Sequence, residues 1–291
     1  MRVVLTGASG QLGDYLLERL LKEGFEVSAW SGSDLGTRSG VALRPVELTD
    51  VGLVERVLKE VDPAVIIHAG AIASVEVVRR DPSRGAEVNV AATGRLADWC
   101  ARHGRQLVFT STDMVFDGTK PWWKESDAPN PLSEYGRTKV RAEAIVREVP
   151  GALTIRLSLM YGPSRSVRPT FFDKTIAALR RGEPQTFFRD EFRTPIALWT
   201  AAEAIVSLVR EQTFGVIHLG GSERLSRFEF AGKVANALGV DANLVRGNLQ
   251  SEVPATEPRP ADLSLDTTRL SEWLPDLKRP SVEVVLKEKL D

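Results

Sequence analysis

The sequence predicts an α/β fold, a doubly wound parallel sheet with a smaller C-terminal α/β lobe, and three observations predict it. Short apolar runs alternate with amphipathic stretches through the first half of the chain, as when parallel strands are joined by helices that cover both faces of a sheet. A glycine-rich turn follows the first apolar run directly, where such sheets pass from strand to helix. Beyond Pro163 the alternation loosens, and Pro169, Pro184 and Pro195 punctuate longer loops, which marks a second unit.

Taken in order, Val3-Val4-Leu5 is a short buried strand. Leu12, Leu16 and Leu20 recur at helical spacing, with Gly24 as the stop. Phe25 to Trp30 reads as a second strand, and Asp50 as the N-cap of a helix carrying Val54, Val57 and Leu58. Val65-Ile66-Ile67, Leu107-Val108-Phe109 and Leu153-Thr154-Ile155 supply three more strands, with a helix from about Glu134 to Glu148 between the last two. Ile196 to Arg210 predicts a helix, Val216 to Leu219 a strand, and Gln250 to Pro260, with three prolines, a surface loop. Residues 1–162 are thus expected to form the sheet domain, completed by parts of 190–222, and residues 163–291 mainly the lobe.

The 291 residues are 43% hydrophobic and 26% charged, with a formal net charge of −1. An ordinary globular chain is expected, with no bulk attraction to nucleic acid or to an anionic membrane. No apolar run approaches a membrane span. Met1 to Leu5 runs into the glycine turn without the apolar core or cleavage site of a signal peptide. The single cysteine, Cys100, allows no intrachain disulfide and has no basic neighbour to activate it. A cytoplasmic setting is expected. His68, His103 and His218 are scattered, and no Cys, His, Asp or Glu cluster has metal-ligand spacing, so no metal is expected.

The turn Thr6-Gly7-Ala8-Ser9-Gly10-Gln11-Leu12-Gly13 suits a dinucleotide. Gly7 permits the tight turn, Gly10 lets backbone approach a pyrophosphate, and Gly13 lets helix and strand pack closely. The helix N-terminus beyond them offers unpaired N–H groups to phosphates. The second strand ends Ala29-Trp30-Ser31-Gly32-Ser33, without the Asp or Glu that usually holds the ribose diol of NAD. Ser31 and Ser33 can donate to a 2′-phosphate, and Arg38 is the nearest arginine. NADP(H) is therefore favoured, with NAD(H) left open. Ala69, Gly70 and Ala71 are small enough for close approach to the cofactor.

Ser111-Thr112-Asp113-Met114 leaves a strand at its carboxyl end, where doubly wound sheets bind ligands. Tyr135 and Lys139 follow, four residues apart, so on a helix they share one face. The ammonium is placed to stabilise a phenolate, lowering the tyrosine pKa from about 10. With Thr112 holding a substrate oxygen, the set makes a proton donor or acceptor beside a nicotinamide. Tyr and Lys at this spacing occur by chance on many helices. Their coincidence with the glycine turn and the polar strand end carries the catalytic reading.

The Gly-x-x-Gly-x-x-Gly spacing resembles that of short-chain dehydrogenases/reductases. Ser111 to Gly118 and Tyr135 to Lys139, with Asn89 and with Arg259-Pro260 ahead of Leu265-Asp266, resemble the dTDP-4-dehydrorhamnose reductase family over nearly the whole chain. The resemblance implies a Rossmann-type domain, a C-terminal substrate-binding lobe and NADPH-dependent reduction of a 4-keto-6-deoxy nucleotide sugar. It implies Thr112, Tyr135 and Lys139 as the triad, with Thr110 and Leu159 also at the cofactor. Glu47-Leu48 falls where relatives face the adenine, though a surface glutamate reads equally well. Glu76, Asp113, Met114, Arg193 and Arg259 become substrate contacts.

Two departures stand out. Rhamnose reductases usually carry Tyr where this chain has Met114, and Trp near Leu159, both beside the sugar. A dehydratase would follow Asp113 with Glu, and Met114 cannot titrate. An epimerase of the same fold stays open. Val115-Phe116-Asp117-Gly118-Thr119 is also similar to the regulatory beta subunit of methionine adenosyltransferase, so an intact triad is compatible with a non-catalytic, cofactor-binding role. The expected partner is a nucleotide sugar. The sequence does not decide the oligomeric state, a homodimer among the options.

Overall fold

The computed structural model describes residues 1–165 and 169–290. Seven strands form its central sheet: β1 (Arg2–Thr6), β2 (Glu26–Ser31), β3 (Arg44–Pro45), β4 (Val65–His68), β5 (Gln106–Thr112), β6 (Leu153–Leu157) and β7 (Gly215–Leu219). Their spatial order is β7-β6-β5-β4-β1-β2-β3, and every neighbouring pair is parallel. The chain runs outward from β1 to β3, then crosses back to β4 and continues to the opposite edge. Ligands bind outside the strand carboxyl ends at such a reversal.

Helices cover both faces. α1 (Gln11–Lys22) and α7 (Leu198–Arg210) lie on one, where Leu16, Leu17 and Leu20 pack with Ile205, Leu208 and Val209. α2 (Val51–Val61), α4 (Ala92–His103) and α5 (Glu134–Arg147) lie on the other, joined through Leu58, Leu96, Trp99 and Val146. Burial from both sides explains the apolar runs Val3-Val4-Leu5 of β1 and Val65-Ile66-Ile67 of β4. Asp50 caps α2 by accepting from the Leu53 N–H at 2.9 Å. Between the core helices, α3 (Val75–Arg80) leads into a short helix at Pro82–Ala86 and a π-helical turn at Glu87–Ala91.

The lobe packs α6 (Phe171–Arg180), α8 (Arg227–Ala237) and α9 (Val282–Leu290) around Phe172, Leu179, Phe230, Val234 and Val285. The helix expected from Ile196 starts at Leu198, because Ile196 and Ala197 pair as a parallel strand with Met160 and Tyr161. That pairing fixes the passage between domain and lobe. Beyond the expected loop at 250–260, which opens with a 3-10 turn at Gln250–Glu252, the chain straps back onto the sheet domain. Trp123 N–H donates to Ser264 O at 2.8 Å and Asp266 N–H to Trp123 O at 2.7 Å. Leu263 and Leu265 close over Phe116 and Trp123.

Candidate active site

The glycine turn is sterically committed. Gly7 has φ +70°, a region that β-carbons disfavour, and a Cβ on Gly13 would stand 2.0 Å from the Gly7 carbonyl. Gly10 N-caps α1 without a side-chain bond, leaving first-turn N–H groups for an anion. Gln11 Nε2 is buried with no partner, an orphaned donor that a phosphate oxygen would satisfy. Leu12 is a core side chain of α1, and Thr110 is bonded to His68 O at 3.2 Å within the sheet. His68 itself is clamped between the Thr6 and Thr93 hydroxyls at 2.7 and 3.0 Å. Burial pulls its pKa down to about 3, with Lys139 adding to the effect. It is a neutral core histidine.

Against the turn lies a cleft of about 360 Å³. Gly7, Ser9, Gly10, Ser31, Ser33, Glu47, Leu48, Ala69, Gly70 and Ala71 all line it, so these sequence-predicted positions meet in one place. Three details differ from the sequence reading. The Ser31 hydroxyl donates to Asp34 O at 2.5 Å, so its proton is already committed and only the exposed Ser33 remains free to donate. Asp34 itself lines the cleft, a carboxylate-bearing residue just past the strand end. Arg38 is drawn to Asp14, 4.0 Å away, and the arginine lining the cleft is Arg84, paired with Glu87 at 2.8 Å and Glu47 at 3.5 Å. Nothing in the local sequence marked Arg84, because a different strand–helix unit carries it.

The positions that the sequence marks as candidate catalytic residues converge at the carboxyl end of β5. Ser133 caps α5 by accepting from the Gly136 N–H at 3.1 Å, and α5 then carries Tyr135 and Lys139 on successive turns. Gly136 has to be small: a Cβ there would lie 2.4 Å from Met114 O. This close approach seats Tyr135 beside Thr112, whose hydroxyl opposes the rise in the phenol pKa. Lys139 Nζ lies 4.2 Å from the centre of the Phe109 ring.

The sequence reading had the ammonium drawing the phenol pKa down. The structure reverses that direction. Burial, reinforced by the Asp113 carboxylate, pushes Tyr135 up to about 12 against the opposing influence of the nearby Thr112 hydroxyl. Burial likewise takes Lys139 down to about 7, opposed by Glu143. Desolvation disfavours the charged form of each, and for the phenol it outweighs any pull from the ammonium. The proton is thereby kept on Tyr135, the form a general acid needs.

Asp113, expected from the sequence resemblance to contact substrate, is 5% exposed. It accepts from Thr112 at 3.2 Å and Ser158 at 3.4 Å, with Arg193 at 3.5 Å. Burial raises its pKa to about 6, with Arg193 the main opposing influence. Arg193 also reaches Glu191 at 3.3 Å, and Arg259 stands 3.9 Å from the same carboxylate. Arg227 completes the group. It lies over the Phe171 ring at 4.3 Å and is electrostatically coupled to Glu191, Arg193, Asp113 and Arg259. The sequence reading missed Arg227, since only the fold brings α8 beside Arg193.

Met114 is half-buried against the Phe116–Trp123 cluster. Leu159 is also half-buried, with its carbonyl taken by Ile196 N–H at 2.9 Å. Glu76 does not join this group; it is exposed and closes on Arg79 and Arg80 of its own helix at 2.8 and 2.6 Å. Their hydrogen bonds draw its pKa down to about 2. Among the described residues no cluster could hold a metal ion, and no helix is long and apolar enough to cross a membrane.

Comparison with known proteins fits this geometry. The family model described as the RmlD substrate binding domain matches residues 1–290. The chain is 30% identical over 298 residues to methionine adenosyltransferase 2 subunit beta of Bos taurus, covering 99% of this chain and 87% of that protein. It is 30% identical over 277 residues to the probable low-salt glycan biosynthesis reductase Agl14 of Haloferax volcanii, covering 93% and 91%. The dTDP-4-dehydrorhamnose reductase of Bacillus anthracis, solved in complex with NADP, superposes with a TM-score of 0.88 at 26% identity, covering 99% and 98%. The chain belongs to the RmlD family, the dTDP-4-dehydrorhamnose reductase-like group of the extended short-chain dehydrogenases/reductases.

Proposed function

We propose that this protein uses NADPH to reduce a carbonyl of a keto-sugar nucleotide, with Tyr135 delivering the proton. The observation that carries the reading is a buried Tyr135 beside Thr112, its pKa raised by burial, at the strand carboxyl ends of the sheet whose reversal forms the glycine-lined cleft. Residues 1–162 bind the dinucleotide, and residues from 163 onward mainly bind the sugar. The first turn of α1 and Gln11 hold the pyrophosphate, Ser33 faces the 2′-phosphate, and Leu48 packs on the adenine. NADPH supplies a hydride when bound. Thr112 and Tyr135 hold the carbonyl oxygen, and the phenol proton passes to it as negative charge develops there. Arg193, Arg227 and Arg259 present guanidinium groups to the diphosphate of the substrate. The names of the Haloferax and Bacillus relatives support both the reaction class and the cofactor.

Incubation of the purified protein with NADPH and a panel of nucleotide keto-sugars tests the proposal through loss of NADPH absorbance. The similarity to methionine adenosyltransferase 2 subunit beta supports a second reading, a regulatory subunit that binds cofactor without turnover. NADPH binding without oxidation across the whole panel, together with co-purification of a methionine adenosyltransferase, would favour that reading instead.

Two further results are expected. Replacing Ser33 by Asp places a negative charge where the 2′-phosphate sits, so preference should shift toward NADH by about tenfold or more. Calorimetric titration of both cofactors reads this, and an unchanged ratio would remove Ser33 from the site. Met114 and Leu159 offer the sugar apolar surface, which discriminates by only about 1–3 kcal/mol per methylene-sized difference. Several keto-sugars should therefore be reduced with kcat/KM values within about two orders of magnitude, and dTDP-4-dehydrorhamnose should not be an exclusive substrate. An exclusive preference for it would show that neither side chain shapes the pocket.

A further inference from the structure

We infer that Glu143 is a positioning residue for Lys139: its negative charge, held by Arg156 and Ser111, keeps the lysine in its ammonium form from behind the triad. α5 carries Tyr135, Lys139 and Glu143 at four-residue intervals, one stripe along the helix. The Glu143 carboxylate is 4% exposed. It accepts from Ser111 Oγ at 2.5 Å, from Arg156 Nε at 3.1 Å and from Arg156 Nη2 at 2.8 Å. Arg156 is equally buried and lies 5.1 Å from the Phe116 ring centre. A buried ion pair of this kind is weak ground for stability, since desolvation offsets the attraction. Its placement gives it another use, because Ser111 adjoins Thr112 and Glu143 stands one turn beyond Lys139.

The groups around Lys139 leave the work to this carboxylate. Tyr135 and Glu143 share its helix, neutral His68 faces it from β4 and the Phe109 ring from β5. Arg156 on β6 and Asp113 beyond β5 stand behind Glu143 and Tyr135 respectively. Burial drives Lys139 toward its neutral form, and the Glu143 carboxylate opposes it. Without that charge burial acts on the ammonium unopposed.

The test is a titration of the full chain carrying ¹³C-labelled lysine. The Lys139 Cε resonance is identified by its absence from Lys139→Met. Glu143→Gln should lower the Lys139 midpoint by about one pH unit or more. The Glu143→Gln/Arg156→Met double variant should lower it too, because burial and the Glu143 charge are what set the Lys139 midpoint. The double variant replaces the pair by neutral groups and avoids a lone buried charge, so it reports even where the single variant fails to fold. A midpoint unmoved in the folded double variant overturns the inference. The activity arm rests on the reductase reading: the alkaline limb of kcat should move down with the midpoint, whereas a purely structural defect would lower kcat at every pH. A protein without turnover would refute the reductase reading and leave the spectroscopic result to decide this one.

Discussion

Tyr135→Phe should reduce turnover by about 10²–10⁴, the usual range for loss of a general acid, while the protein folds and binds NADPH as before. The ring is 8% exposed and its packing is kept. The change removes one hydroxyl beside Thr112, and the Thr112 hydroxyl still donates to Asp113 at 3.2 Å. Binding of cofactor along the glycine turn involves none of these atoms. Steady-state kinetics on a substrate of the wild type, with thermal melting and NADPH titration alongside, separate the outcomes. Near-wild-type kcat in the folded variant would remove Tyr135 from the proton-transfer step. A loss of NADPH affinity equal to the loss of rate would make the phenol a cofactor contact instead.

Gly13→Ala should cost cofactor binding at least tenfold and lower the melting temperature by several degrees. The added methyl would sit 2.0 Å from the Gly7 carbonyl and 2.8 Å from Ala8 Cα, contacts with backbone that no side-chain rotation relieves. Overpacking of this kind costs about 1–3 kcal/mol, and relief would come from pushing α1 off the turn, where its N–H groups face the phosphates. Gly232→Ala is the control. It lies in α8 with nothing within 4 Å of its added methyl, so it should be neutral or stabilise by about 0.5–1 kcal/mol. Calorimetric titration with NADPH and thermal melts of both variants check the contrast. A Gly13→Ala protein that melts and binds like wild type would show that the turn yields freely.

The parts of this protein legible in the sequence are those whose physics is local. The glycine turn needs three small residues at fixed spacing next to one strand and one helix. Strands buried on both faces favour apolar runs, as Val3-Val4-Leu5 and Val65-Ile66-Ile67 show, and Tyr135 and Lys139 share a face because of helical periodicity alone. Asp50 was readable as a cap for the same reason, its bond reaching only three residues ahead. Arg44-Pro45 was not readable as a strand, since a two-residue edge pairing leaves no apolar run. Ile196 and Ala197 were taken into the helix that follows, because their partners lie at Met160 and Tyr161, far back in the chain.

By itself, then, the sequence determined the doubly wound sheet, the dinucleotide turn and the Thr112-Tyr135-Lys139 constellation. Tertiary structure alone decided what surrounds them. It brought Arg227 beside Arg193 and Glu191, put Arg84 rather than Arg38 in the cleft, committed the Ser31 proton to Asp34, and left Glu76 on its own helix. It also set the protonation of the triad, raising Tyr135 and lowering Lys139. The reason is common to all of these. Which groups lose water, and which charges then face them at short range, depends on packing between segments distant in sequence, and spacing along the chain carries no record of it.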